Sequence, residues 1–129
     1  MARPRLTPQE LKLGLAEFHG TEQWFRHSLC RNVLYTEGVQ YLAENADCYW
    51  LIDKIATLQR LPQIRATGGF QRWKMTLLPG SGALLTADDG DGNVVWQERI
   101  DWTDFPLDET NILVEGDADQ PVILLPGEH

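Results

Sequence analysis

The stretch that most constrains this chain is Thr36 to Arg60, TEGVQYLAENADCYWLIDKIATLQR, which alone carries sustained helical spacing. Val39, Leu42, Ala43 and Ala46 recur at three- and four-residue steps, and so do Cys48, Leu51, Ile52, Ile55 and Leu58, so each half presents an apolar stripe. The stripes are out of phase: extending the first buries Asp53, whereas the second leaves Asp53 and Lys54 outside. Two helices are therefore predicted. Thr36 is the expected N-cap of the first and Asp47, or Asn45 just before it, of the second, because a short polar side chain can accept from the open N–H groups of a first turn. Cys48 to Ile52 is apolar nearly all round, which marks a helix covered on several sides and the candidate centre of the core.

Upstream, Thr7-Pro8-Gln9-Glu10 places a capping residue, a proline at the first helical position and a glutamate three residues after the cap, so a helix starts there. Leu11, Leu15 and Phe18 form its stripe, and His19-Gly20 is its expected end. From Gln23 to Tyr35 neither period holds, and a strand or irregular extended segment is expected. Leu61-Pro62 stops the central helices, and Ala66 to Gly69 leads into a change of period. Phe70 to Leu78 alternates, with Gln71, Trp73, Met75 and Leu77 on one side and the last three of these facing the core. Strands at 83–87 and 94–101, the latter with Val94, Trp96 and Ile100 on one face, complete an antiparallel meander; 111–115 and 122–125 make a last pair. The expected fold is α+β, with N-terminal helices packed on a C-terminal antiparallel sheet of about four to five strands.

A chain of 129 residues fits one domain over 1–129, with residues 1–5 and 126–129 as flexible ends. No apolar run approaches the ~20 residues that cross a bilayer, and the N-terminus lacks the apolar core of an export signal. Cys30 and Cys48 are too few for a disulfide framework. Two reduced thiols in a cytoplasmic protein are the expectation.

One order of residues is distinctive: Phe18-His19-Gly20-Thr21-Glu22, Tyr35-Thr36-Glu37-Gly38-Val39-Gln40-Tyr41-Leu42-Ala43-Glu44, Tyr49-Trp50-Leu51-Ile52-Asp53, Asp88-Asp89-Gly90-Asp91-Gly92-Asn93 and Asp104-Phe105-Pro106-Leu107. Over about Leu11 to Leu125 the chain resembles a family of small uncharacterised bacterial proteins described only as a domain of unknown function. The resemblance implies a setting on phages, plasmids and other mobile elements, and no activity or site residue.

The chemistry is sparse. An EF-type calcium loop begun at Asp89 puts Val94 where the sharp-turn glycine belongs and Ile100 where the bidentate glutamate is needed, so Asp88 to Asn93 reads as a hairpin turn. Glycine loops for phosphate and the G-x-S-x-G elbow are absent from the sequence. No cofactor or metal is expected. His27 and Cys30 stand close enough for a nucleophile pair, which with His19 defines the alternative expectation, a small cytosolic enzyme. Trp50, Trp73 and Trp96 fall on core faces; Trp24 and Trp102 are candidate surface anchors.

Charge is the strongest functional signal. Residues 1–87 carry seven acids and ten bases, whereas 88–129 carry twelve acids and the single base Arg99, so net charges of +3 and −11 make up the total of −8. Such a surface repels nucleic-acid phosphates and attracts a basic partner through long-range steering. The expectation is a non-enzymatic acidic interaction protein, an inhibitor or DNA mimic of the anti-CRISPR type, that occupies the nucleic-acid-binding surface of a bacterial defence or nuclease complex. The partner would be a basic protein or nucleoprotein surface, with no direct nucleic acid and no membrane. The candidate contact residues are Asp88, Asp89, Asp91, Asp101, Trp102, Asp104, Asp108 and Glu109.

Overall fold

The computed structural model describes residues 6–129; the expectation about residues 1–5 lies outside them. Four α-helices, α1 (Pro8–Leu15), α2 (Glu37–Asn45), α3 (Tyr49–Leu58) and α4 (Pro62–Arg65), accompany seven strands: β1 (Trp24–Arg26), β2 (Leu34–Thr36), β3 (Gln71–Leu77), β4 (Ala83–Asp88), β5 (Val94–Ile100), β6 (Glu109–Asp117) and β7 (Gln120–Leu124). They form one sheet in the order β1-β2-β7-β6-β3-β4-β5. The fold is α+β as expected, with two corrections. The sheet has seven strands rather than four to five, and it is mixed, because β2 runs parallel to β7 while the other pairings are antiparallel. The helices are not all N-terminal either: α4 follows the central pair, and a short 3-10 helix (Pro126–Glu128) closes the chain.

Local rules explain most elements. The Thr7 hydroxyl accepts from the Glu10 N–H and the Glu10 carboxylate accepts from the Thr7 N–H, a complete capping box for α1. The helix ends at Leu15, short of the expected His19-Gly20. Thr36 caps α2 through Val39 N–H. At α3 the cap expectation fails: Cys48 holds that position without a capping bond, its thiol facing the Leu42 carbonyl at 3.7 Å instead, and Asp47 turns the chain with a φ of 52°.

One face of the sheet packs on the helices. Leu42, Leu51, Ile52 and Ile55 meet Trp73, Met75, Leu85, Ile112 and Ile123 in a single core. Trp73 is 1% exposed, while Trp50 and Trp96 are partly buried against that core. Val94 departs from its expected core face because a bulge between Ala87 and Asp88 shifts the β4–β5 register by one residue. Residues 126–129 do not trail loosely. Glu128 is buried, and His129 pairs through Nδ1 with the Glu115 carboxylate. Gly38 makes room for this closure, since a Cβ there would stand 2.5 Å from the Glu128 Oε1. No helix among the described residues is long and apolar enough to cross a membrane.

Candidate functional site

The strand order sorts the acidic residues into two places. Ile100 pairs with Ala83, Ala83 with Leu77, and the Leu77 N–H donates to the Asp108 carbonyl at 2.8 Å, so the exit of β5 and the entry of β6 lie at one end of the sheet. Residues 101–108 cross that end over β4 and β3. Burial alternates along the crossing: Thr103, Phe105 and Leu107 point inward and are buried, whereas Asp101, Trp102, Asp104 and Asp108 are exposed. Backbone bonds fix the strap, from Thr103 N–H to the Ser81 carbonyl at 2.7 Å and from Phe105 N–H to the Thr103 hydroxyl at 3.2 Å. With strands about 4.8 Å apart, Asp101 and Asp108 bracket a row on the order of 15 Å long. Glu109 ends it, pairing with Lys74 at 3.3 Å. This exposed pair weakens the row's charge and is itself screened by salt.

Asp88, Asp89 and Asp91 are elsewhere. Asp88 pairs with Val94 and Arg72, at the opposite end of β5 from Ile100 and about 20 Å away. The carboxylates of Asp88 and Asp89 build the turn. The Asp88 Oδ1 accepts from Gly90 N–H at 2.7 Å and from Arg72 Nε at 3.0 Å. The Asp89 Oδ1 accepts from the N–H groups of Asp91 and Asn93, and its Oδ2 from the Asn93 amide at 2.9 Å. Gly90 and Gly92 supply the positive φ that such a loop needs.

The Asp89 carboxyl titrates below its ordinary value, chiefly because the Asn93 amide, and next the Asp91 N–H, bond to the ionised form. The sign follows from that shift. A depressed carboxyl contributes stability above its unfolded pKa and loses it as pH falls through the folded value. Asn93→Ala should therefore move the Asp89 titration up toward the ordinary range in an NMR pH series. An unmoved curve would mean that the amide does not hold the carboxylate in solution.

His27 and Cys30 share a buried turn between β1 and β2. The His27 Nδ1 accepts from the N–H groups of Cys30 at 2.9 Å and Leu29 at 3.2 Å, and its Nε2 donates to the Asp53 carboxylate at 2.8 Å. The Cys30 thiol is buried 4.0 Å from the Thr57 hydroxyl. Both ring nitrogens are thus engaged, and both side chains are buried. His19 lines a different cavity, of about 660 Å³, with Lys12, Asp108 and Glu109. No group of three His, Cys, Asp or Glu side chains among the described residues is placed to hold a metal.

Sequence reasoning missed a second concavity at the other end of the strap. A cleft of about 510 Å³ opens between it and the start of α3, lined among others by Asp47, Tyr49, Trp50, Trp102 and Asp104. Trp102 is 67% exposed and Tyr49 38%. The apolar run 48–52 reads only as core, and its spacing alone does not show that its first turn emerges beside Trp102.

Fold and surface together define a two-layer α+β protein with an acidic, aromatic-flanked strap across one sheet end. The chain belongs to a family of unknown function (DUF6876), whose sequence model matches residues 9–129. No curated protein and no solved structure gives a significant match.

Proposed function

We propose that the protein is a non-enzymatic interaction module whose strap, Asp101 to Glu109, docks on a basic surface of another protein. In its specific form the partner is a nucleic-acid-binding surface in a bacterial defence or nuclease complex, and the module acts there as a cytoplasmic inhibitor or DNA mimic encoded by a mobile element. The observation that supports this is the alternation along the crossing. Buried Thr103, Phe105 and Leu107 hold the backbone, so the outward carboxylates are displayed on a rigid support rather than on a mobile loop. Asp88, Asp89 and Asp91 stand at the far end of the sheet, where the Asp88 and Asp89 carboxylates brace their own turn, so this reading rests on the strap rather than on them. A row of one sign accelerates encounter with a cationic partner and disfavours phosphates.

The test is binding to polylysine, and displacement of DNA from a basic DNA-binding protein, across a salt series. Asp101→Asn, Asp104→Asn, Asp108→Asn and Glu109→Gln combined should weaken binding by roughly ten- to a hundredfold, given about 0.2–1 kcal/mol for each exposed charge contact. The affinity should also fall steeply as ionic strength rises. Asp91→Asn should change little. Salt-insensitive binding, or equal losses from the two ends of the sheet, would overturn the reading.

A further inference from the structure

We propose that the cavity between the end of α1, the entry of β6 and the C-terminal turn binds an apolar dipeptide with free ends. Its volume, about 660 Å³, lies in the range of pockets that enclose small molecules. The base is apolar: Leu107 and Leu125 are buried, and Leu15 and Phe18 pack against the core beside them. Two walls of opposite charge border it. Lys12 and His19 come from α1 and the turn after it, Asp108 and Glu109 from the exit of the strap into β6. Lys74 already engages Glu109. Among the described residues, however, the Lys12, His19 and Asp108 side chains make no hydrogen bond or ion pair, although all three line the same cavity. Opposite charges that share a cavity without closing on each other leave a gap that a zwitterion can bridge. A dipeptide answers each part of the lining. Its carboxylate accepts from the Lys12 ammonium and a His19 N–H, its ammonium donates to Asp108, and its side chains cover the apolar base.

The three segments that form the cavity are fixed before any ligand arrives. Leu11 anchors α1 in the core, and the Asp108 carbonyl accepts from Leu77 N–H at 2.8 Å. The buried Glu128 carboxylate holds the C-terminal turn through the Thr36 hydroxyl at 2.6 Å and Leu125 N–H at 3.0 Å. Gly127 lets that turn close on the end of α1, since a Cβ there would stand 2.6 Å from the Phe18 carbonyl oxygen. Walls already in place spare the ligand the cost of ordering them. This site goes beyond the docking reading: it takes a small neutral ligand rather than a basic protein surface, and shares only Asp108 and Glu109 with the row.

Titration calorimetry on the full chain compares leucyl-leucine with its N-acetyl form, its C-terminal amide and free leucine. The dipeptide should bind about tenfold more tightly than each of the others, which lack one charged contact or the span between the two. Lys12→Met should weaken the dipeptide by about the same factor and leave the amide unchanged, because the amide has already lost the carboxylate. Asp108→Asn should weaken the dipeptide likewise and leave the N-acetyl form unchanged. Both residues are exposed, so the variants should keep the fold, as circular dichroism will show. A Lys12→Met loss as large for the amide as for the dipeptide would overturn the assignment of the carboxylate. Free leucine binding as tightly as leucyl-leucine would overturn the dipeptide as ligand, and no binding of leucyl-leucine would overturn the site.

Discussion

Replacing Glu128 with alanine should lower the free energy of unfolding by about 2–4 kcal/mol, because four donors converge on this one buried carboxylate. They are the Thr36 hydroxyl at 2.6 Å, the Thr21 hydroxyl at 2.9 Å and the N–H groups of Leu125 at 3.0 Å and Gly38 at 3.3 Å. The hydroxyls can rotate toward other acceptors, but the two N–H groups are fixed in the backbone and would be left buried and unsatisfied. Gly38 lies in the first turn of α2, so a negative charge there also complements the helix dipole. Glu128→Gln should cost less, since it keeps one acceptor oxygen. Removal of residues 127–129 should cost at least as much as alanine. Urea denaturation with an unchanged slope would report these differences. An alanine variant within about 0.5 kcal/mol of the unaltered chain would show that the C-terminal turn is not docked in solution.

This closure was the least legible part of the fold. Nothing in Pro126-Gly127-Glu128-His129 signals that the carboxylate returns to Thr36, since the contact joins positions 92 residues apart and local spacing carries no trace of it. The same reason blurs β1 and β2, which fall where a strand or irregular extended segment is expected but whose bounds and pairing local spacing does not show. Each is three residues long, and β2 owes its place to parallel pairing with β7, from Leu34 to Val122. What local rules govern was readable: the Thr7–Glu10 box, the Thr36 cap, and the alternation that buries Trp73 and Met75. The surface was readable as composition and not as place. Charge counting named eight residues, but strand order decides that five of them share one end of the sheet. Among the described residues, Lys54, Arg65, Arg72 and Lys74 from earlier in the chain pair with Glu98, Asp119, Asp88 and Glu109.

Gln71→Met should destabilise the protein by about 2–4 kcal/mol although it conserves volume, because Gln71 is the hub of a buried polar network. Its Oε1 accepts from Gln59 Nε2 at 2.7 Å and from Trp73 Nε1 at 3.0 Å, and its Nε2 donates to the Thr67 hydroxyl at 3.2 Å. Methionine would leave the Trp73 N–H buried without an acceptor and the Gln59 amide with only the Ile55 carbonyl, at 3.3 Å. If the two glutamines act as a unit, Gln59→Met combined with Gln71→Met should lose less than the sum of the single losses, by about 1 kcal/mol in a double-mutant cycle. Strict additivity in urea denaturation would mean that the amides do not share their bond. Gln71 opens β3 at the end remote from Leu77, about 20 Å from the strap, so the folded fraction of these variants should keep the salt-dependent binding of the unaltered chain. A loss of binding in step with stability would instead tie the display of the strap to the packing of α3 on β3, and the acidic row could no longer be treated as a support independent of the core beneath it.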